Sequence, residues 1–274
     1  MGSAPNKSSQ EKPFLRRLFN AEDKSAPDRN DYLPVPEGTL FHVTHWKAGS
    51  QWVRAILEDL YGPAVVAPQS FEAQVLTKPI EAKKVYMCVY VSKPEMSALV
   101  LPPGTKHFVL IRDLRDTLIS AYFSIRQTHE VTNPVMAKWR NILTKLNEEE
   151  GLLYLMEVWL NLCGVIQRTW LDSGEKVFRL EDCMANAKGT VSEMFQKGWG
   201  ITLDPKLLES VLARHSFQKL SGGRERGSED TKSHYRKGVH GDWQNHFTPR
   251  IKSRFKSLYN DLLLMGGYEK DSNW

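Results

Sequence analysis

Cysteine is scarce in this chain of 274 residues. The three cysteines are Cys88, Cys163 and Cys183, and no two of them have the C-x-x-C spacing. An odd count without that spacing argues against a disulfide framework and against a cysteine-rich zinc site, and it is typical of proteins kept in a reducing compartment. We therefore expect a cytoplasmic protein that folds without disulfides.

Long apolar runs and a strong excess of one charge are also missing. No stretch approaches the roughly 20 apolar residues of a membrane span, and no signal peptide opens the chain. The 37 basic and 32 acidic side chains leave a net charge of +5. This charge permits an anionic ligand but is too small to predict nucleic-acid binding. We expect neither a membrane span nor a nucleic-acid partner.

The composition is otherwise that of a folded protein. Hydrophobic residues make up 41 % of the chain and aromatic residues 10 %, which excludes a mainly disordered protein. Residues 1–30 differ, because they are rich in Ser, Pro, Lys and Asp. We predict that residues 1–38 form a flexible tail and that residues 39–274 form a single domain.

Strand-like segments alternate with helical ones along this domain. Short apolar runs rich in β-branched and aromatic residues predict strands at 39–45, 85–91, 107–112 and 177–180. Apolar periodicity predicts helices at 50–61, 116–127, 152–171, 188–197, 205–213 and 249–264. The alternation predicts an α/β fold in which helices flank a central parallel sheet. Ligands of such sheets bind beyond the carboxyl ends of the strands.

The turn after the first predicted strand has the composition of a phosphate cradle. Lys47 adds a positive charge, Gly49 lets the backbone approach an anion, and Ser50 adds a hydroxyl donor at the start of a helix. The arrangement is P-loop-like, but G-x-x-x-x-G-K-[ST] is absent and the Lys precedes the Gly. Taken alone, an ordinary turn with a solvated Lys explains the pattern equally well.

Two later segments carry similar groups. Arg112 ends the third strand, where an unpaired guanidinium is costly to bury, and Ser120 follows it on a helix. Alternatively, Arg112 pairs with a neighbouring aspartate in a structural ion pair. Arg236, Lys237 and Gly238 combine two charges with an approachable backbone N–H, although a solvated basic loop has the same composition.

In this order, the three segments resemble the sulfotransferases that use 3′-phosphoadenosine 5′-phosphosulfate (PAPS), especially the cytosolic type. That family carries T-Y-P-K-S-G-T-T-W, R-N-x-x-D-x-x-x-S and R-K-G-x-x-G-D-W. This chain reads T-H-W-K-A-G-S-Q-W at 44–52, R-D-L-R-D-T-L-I-S at 112–120 and R-K-G-V-H-G-D-W at 236–243. The resemblance spans about residues 39–259, and the joint match disfavours the separate structural explanations.

The resemblance implies a transferase that moves a sulfuryl group from PAPS to a hydroxyl or amine of a small acceptor. The expected chemistry is in-line displacement that releases 3′-phosphoadenosine 5′-phosphate (PAP) and needs no metal. The cofactor-binding residues implied by the resemblance are Lys47, Ala48, Gly49, Ser50, Gln51, Trp52, Arg112, Ser120, Ser216, Phe217, Arg236, Lys237 and Gly238.

The resemblance also assigns roles within this set. Lys47 and the backbone of residues 49–52 hold the 5′-phosphosulfate. Arg112 and Ser120 hold the 3′-phosphate, and Arg236, Lys237 and Gly238 close on it. These three belong to the late basic block, residues 235–248. Trp52 stacks on the adenine.

The chain departs from the family at two points. Leu180 stands where the family has a tyrosine that contacts adenine. Cytosolic members place their catalytic base in K-T-H-x-P after the second strand, where this chain reads V-S-K-P-E-M, so that Lys93 takes the Lys position and Glu95 the His position. Glu95 is ranked first as the base and His45 second. Third in rank are two histidines of the late block, His240 and His246. The full set of predicted catalytic residues is Lys47, Lys93, Glu95 and His45.

The acceptor is expected to be a hydrophobic alcohol or phenol, because nothing indicates a wide glycan-binding groove. Segments 66–79, 125–147 and 221–233 resemble the family least and are predicted to line the acceptor cavity. The oligomeric state stays open, because the family's K-x-x-x-T-V-x-x-x-E dimer signature is not kept. Two alternatives are a sulfotransferase-like protein that binds PAP or PAPS without catalysis and a nucleotide kinase-like phosphotransferase. The latter needs a Walker lysine and Mg²⁺ ligands.

Overall fold

A computed structural model describes residues 32–66, 78–128, 131 and 133–274. Most of the predicted tail, residues 1–31, lies outside the described residues. Within the described ranges, five strands form one parallel sheet in the order β2-β3-β1-β4-β5. The strands are β1 (Leu40–Thr44), β2 (Val65–Val66), β3 (Val85–Val89), β4 (Lys106–Ile111) and β5 (Val177–Arg179). The predicted α/β fold with a central parallel sheet is therefore confirmed.

Helices cover the sheet and connect its strands. They are α1 (Ser50–Tyr61), α2 (Lys93–Ser97), α3 (Leu114–Phe123), α4 (Pro134–Leu143), α5 (Glu148–Val158), α6 (Leu160–Asp172), α7 (Leu180–Ala185), α8 (Ala187–Glu193), α9 (Pro205–Arg214), α10 (Phe217–Leu220) and α11 (Pro249–Met265). Short 3-10 and π-helical turns lie at Gly62–Ala64, Ser124–Thr128, Met194–Trp199 and Asp242–Asn245. None of the helices described in these ranges is both long and apolar enough to cross a membrane.

Each face of the sheet packs against its own helices. The buried side chains on the α1 face include Leu40, Val53, Leu57, Met87 and Phe108. The buried side chains on the α6 face include Phe41, Tyr86, Val109, Ile166 and Trp170. The strands are thus apolar on both sides, as a parallel sheet covered by helices requires. All three cysteines are free and buried.

Several element boundaries differ from those predicted. The helix predicted over 152–171 is interrupted at Trp159, whose φ of −128° lies outside the helical range. Helix α4 occupies part of a segment predicted to line the acceptor cavity. Asn133 caps its start by accepting a hydrogen bond from the Met136 N–H, and a proline follows in the first turn. Asp113 caps α3 in the same way. These caps were readable in the sequence.

Candidate active site

A cavity of about 250 Å³ opens at the carboxyl edge of the sheet, beyond β1 and β4. All three predicted anion-binding segments reach this cavity. The predicted residues that line it are Lys47, Gly49, Ser50, Gln51, Trp52, Arg112, Ser120, Phe217, Arg236, Lys237 and Gly238. Ala48 is buried within the loop, and Ser216 caps α10 directly before Phe217. The segments that are far apart in the sequence therefore meet at one place.

The loop between β1 and α1 curls because two of its residues are in the left-handed region. Lys47 has a φ of 69° and Gly49 a φ of 79°. Such turns direct backbone N–H groups to one side, and the start of α1 adds further N–H groups without intrahelical acceptors. A Cβ on Gly49 would lie 2.7 Å from Leu180 Cδ1, so the loop needs glycine there for contact as well as for conformation. The loop has the geometry of an anion cradle.

Several cations line the cavity around this cradle. The Arg112 guanidinium donates to the Lys47 carbonyl oxygen at 3.0 Å, and Arg236 reaches the same cavity from the late block. Burial, together with the positive charges of Arg112 and Arg236, lowers the pKa of Lys47 to about 8. Because like charges held together raise one another's free energy, the cavity favours a ligand with more than one negative charge.

His45 holds the backbone of this site together. Its Nδ1 donates to the Trp46 carbonyl oxygen at 2.9 Å, and its Nε2 accepts from the Arg112 N–H at 3.1 Å. Burial lowers the pKa of His45 to about 4. Both ring nitrogens are therefore engaged with the backbone, which argues against His45 as a catalytic base and explains instead how the ends of β1 and β4 are joined.

Lys93 does not reach the cavity. After β3 the chain turns away from the site, and the Lys93 ammonium pairs with Glu175, which directly precedes the β5 region. Glu175 also bonds to His107, near the amino end of β4, at 2.6 Å. Lys93 lies 5.1 Å from the Trp170 ring centroid as well. This places the predicted second catalytic lysine toward the opposite edge of the sheet.

Glu95 follows the same turn and is exposed. Its carboxylate accepts from the Ser92 N–H and from the Ser92 hydroxyl, both at 2.7 Å. The Glu95 N–H donates to Ser92 Oγ at 3.4 Å, which completes the capping box of α2. Glu95 is not among the residues that line the cavity. Its role as the base stays a prediction, and its position gives that role no support.

The two lower-ranked histidines also lie elsewhere. His240 is exposed, and neither His240 nor His246 lines the cavity. His246 bonds to Glu148 at 2.6 Å and faces Asp242 at 3.4 Å. Neither position favours a role in proton transfer at the cradle.

Acidic residues hold the late basic block in place. Arg236 and Lys237 both pair with the buried Asp242 carboxylate, and Arg236 also pairs with Glu229. Burial alone raises the pKa of Asp242, but the hydrogen bonds from Lys237 and Arg236 hold it well below its usual range. The Arg236 guanidinium lies 4.7 Å from the Phe123 ring centroid. The two cations are thus ordered beside the cavity before any ligand binds.

Further contacts join this block to the rest of the site. The buried Asp116 carboxylate accepts from the Gly241 N–H at 2.6 Å and from the Trp243 N–H at 3.0 Å. Gly238 has a φ of 67°, and a Cβ there would lie 2.4 Å from the Phe217 ring. The block therefore rests on α3 on one side and on Phe217 on the other.

Sequence reasoning missed several residues of the cavity, among them Trp46, Tyr90 and Tyr235. Tyr90 is the last residue but one of a predicted strand, at the edge where ligands bind, but the strand sequence does not show that its side chain reaches the cavity. Of the segments predicted to line an acceptor cavity, Arg226 lines this one. Residues 67–77, 129–130 and 132 of those segments lie outside the described residues.

The protein has an α/β fold with an anion cradle and several cations at the carboxyl edge of its sheet. A family model described as the sulfotransferase domain matches residues 38–268. The chain therefore belongs to the sulfotransferase domain family.

Known relatives cover most of the chain at low identity. Human Sulfotransferase 1C2 is 22 % identical over 249 residues, which cover 80 % of this chain and 81 % of the relative. Mouse Sulfotransferase 2A2 is 29 % identical over an alignment that covers 86 % of this chain and 87 % of the relative.

Solved structures show the same fold. The mouse sulfotransferase SULT7A1 complexed with PAP superposes with a TM-score of 0.60 at 16 % identity, covering 84 % of this chain and 88 % of the other. Retinol dehydratase in complex with androsterone and PAP superposes with a TM-score of 0.51 at 13 % identity, covering 82 % and 80 %.

Proposed function

We propose that residues 39–274 form a transferase that moves a sulfuryl group from PAPS to a hydroxyl of a small, hydrophobic acceptor. The observation that carries this proposal is the convergence of Lys47, Arg112 and Arg236 on one cavity that also contains Trp52 and Phe217. An adenosine nucleotide with charged groups at both its 3′ and 5′ positions matches this combination of cations and aromatic surfaces.

The cradle is suited to the 5′ end of the nucleotide. PAPS supplies a sulfuryl group bonded to a phosphate that leaves as PAP. The N–H groups of the curled loop and of the α1 start bind the phosphosulfate oxygens. The Lys47 ammonium, beside them, stabilises the negative charge that grows on the departing phosphate, and it does so more strongly in a site shielded from water.

The remaining cations are suited to the 3′-phosphate. Arg112 is aimed by its bonds to the loop and to His45, and the Ser120 hydroxyl lines the same cavity. Arg236 and Lys237 approach from the late block. A guanidinium offers a fork of N–H donors to phosphate oxygens, which favours a dianionic phosphate over a neutral ribose hydroxyl.

Apolar side chains of the cavity are suited to the adenine ring and to the acceptor. Trp52, Leu180 and Phe217 line the cavity and offer surface to adenine. The rings of Trp46 and Tyr90 lie 4.6 Å apart at the cavity wall and offer aromatic surface to a phenol or an apolar alcohol. The support for the acceptor class is the apolar character of this wall.

Radiolabelled PAPS tests the proposal. The protein is incubated with labelled PAPS and a panel of phenols and hydrophobic alcohols, and PAP binding is measured by calorimetry. We expect transfer to at least one acceptor. Lys47→Ala is expected to lower the rate by about 100-fold or more, as loss of a charge-stabilising donor does in other enzymes. The matched control is Lys145→Ala, which removes an exposed lysine outside the cavity.

Two other outcomes would replace the proposal. Tight PAP binding without transfer to any acceptor identifies a binding protein that has kept the nucleotide site. Thermal stabilisation by ATP and Mg²⁺, but not by PAP, identifies a phosphotransferase.

A further inference from the structure

An irregularity in β3 determines that the Tyr90 side chain contacts the cradle at Ser50. Leu40 and Phe41 of β1 pair with Val85 and Tyr86, but Val43 pairs with Val89, so β3 contains one extra residue. The chain accommodates it at Cys88, which has a φ of 55°. This is the geometry of a β-bulge, which changes the direction of the residues that follow.

The bulge changes the direction of the Tyr90 side chain, which directly follows the end of β3. In a regular strand, residues two and four positions apart share a face, so Tyr90 would share the face of Tyr86. Tyr86, Val89 and Val91 instead belong together to the core on the α6 face. Tyr90 lies between the latter two and packs against the buried residues of both faces, and its hydroxyl meets the Ser50 hydroxyl at the start of α1.

Buried groups hold the bulge in place. The Cys88 N–H donates to His42 Nδ1 at 3.3 Å, and the Cys88 thiol donates to the Ser50 carbonyl oxygen at 3.4 Å. Burial lowers the pKa of His42 to about 3 and raises the pKa of Cys88 to about 12. His42 therefore stays an acceptor and Cys88 stays a donor at neutral pH. The bulge is thus hydrogen-bonded directly to Ser50, the first residue of α1.

The contact between the two hydroxyls has a preferred direction when an anion is present. Tyr90 Oη and Ser50 Oγ lie 3.2 Å apart, and both residues line the cavity. Burial raises the pKa of Tyr90 above its usual range, so its hydroxyl keeps its proton. Each hydroxyl has one proton to donate. If Ser50 donates to an anion, Tyr90 must donate to Ser50, and the two bonds then strengthen each other.

We propose that Tyr90 is a positioning residue, whose hydroxyl donates to Ser50 Oγ and thereby directs the Ser50 proton at the 5′-phosphate end of the nucleotide. This inference rests on the proposed function and deepens it. Tyr90 is thus a neutral donor that acts on the cradle through Ser50.

Tyr90→Phe tests this role because it removes the hydroxyl and keeps the ring against Trp46. Dissociation constants are measured by calorimetry for PAP and for adenosine 3′-monophosphate, which has no 5′-phosphate. We expect Tyr90→Phe to weaken PAP binding by about three- to tenfold, the usual contribution of one hydrogen bond. We expect binding of adenosine 3′-monophosphate to be unchanged, because that ligand has no group for Ser50 to bind at the cradle.

Two further variants separate positioning from a merely structural effect. In a Ser50→Ala background, Tyr90→Phe is expected to have no further effect on PAP binding, since there is no Ser50 proton left to direct. Tyr86→Phe is the matched control, because it removes a hydroxyl from the same strand that bonds to the Glu81 N–H on the other face. Its PAP affinity is expected to equal that of the unmodified protein.

Three results would overturn the inference. They are unchanged PAP binding in Tyr90→Phe, equal weakening for both nucleotides, and an undiminished effect in the Ser50→Ala background. If the unmodified protein binds PAP and only these results are negative, the proposed function stands. If the unmodified protein does not bind PAP, the proposed function fails and the inference fails with it.

Discussion

Gly49 has a left-handed backbone conformation and also packs closely against Leu180. Its φ of 79° is strained for any side chain with a Cβ, and its Cβ position lies 2.7 Å from Leu180 Cδ1. We expect Gly49→Ala to lower the free energy of unfolding by more than the about 1–2 kcal/mol that the left-handed conformation alone costs. PAP affinity should fall as well, because either the loop or Leu180 must move. Urea unfolding and calorimetry measure the two effects.

The chain contains a matched control for this substitution. Gly174 has a φ of 72° with nothing within 4 Å of its Cβ position, so Gly174→Ala carries the backbone cost without the contact. The excess cost of Gly49→Ala over Gly174→Ala should shrink in a Leu180→Ala background. Equal costs for the two alanine variants in the unmodified background would show that the contact with Leu180 is unimportant.

At the scale of elements, the late block is the part of the site whose charges are already paired. Arg236 is shared between the buried Asp242 and the exposed Glu229, and an incoming phosphate must compete with both. Glu229→Gln removes the exposed competitor. We expect it to tighten PAP binding by up to about fivefold, which corresponds to the upper end for an exposed ion pair. The gain should diminish at high salt, as measured by calorimetry over a salt series.

Glu225→Gln controls for the change in net charge. Glu225 is exposed in the same segment, and the same charge is removed there. If both variants tighten binding equally, the effect is long-range attraction of an anion and not release of Arg236. A Glu229→Gln variant that weakens PAP binding would show that the pair instead holds Arg236 in its binding position.

Elements set by local signals could be predicted, whereas those set by distant contacts could not. Helix α1 has its predicted bounds, because its apolar face and the Gly-Pro after it are both local signals. The path after β3 depends on Lys93 reaching Glu175 and on the Trp170 indole N–H donating to the Val91 carbonyl oxygen. These partners are about 80 positions apart, and V-S-K-P-E-M alone does not reveal them.

The same distinction applies to the candidate site. Lys47, Arg112 and Arg236 could be found because each stands in a motif with the chemistry of anion binding. Tyr90 could not, because the direction of its side chain depends on the bulge at Cys88. A strand sequence shows alternation but does not show where the alternation slips by one residue.

At the scale of the whole molecule, the fold brings positive charges together without a ligand. Lys47, Arg112 and Arg236 come from three distant parts of the chain, and the pKa of Lys47 is lowered to about 8 by burial and by the other two. A bound nucleotide anion raises the pKa of Lys47 again, because it stabilises the charged ammonium. The affinity for PAP is therefore expected to fall above about pH 8, with the dissociation constant rising by up to about tenfold per pH unit. Calorimetry between pH 7 and 10 measures the slope, and Lys47→Met should remove it.

Stability should respond to pH in the opposite sense. The pKa of Lys47 is about 8 in the folded protein and about 10.5 in the unfolded chain, so the unfolded chain binds more protons between these two values. The contribution of Lys47 to the free energy of unfolding is therefore unfavourable below about pH 8 and is relieved as the pH rises toward about 10.5. Lys47→Met is expected to be more stable than the unmodified protein at pH 7, with the difference narrowing by pH 10 in urea unfolding. If Lys47→Met is less stable at pH 7, the protein itself stabilises the charged Lys47 ammonium. The cavity would then hold no excess of positive charge for a nucleotide to neutralise.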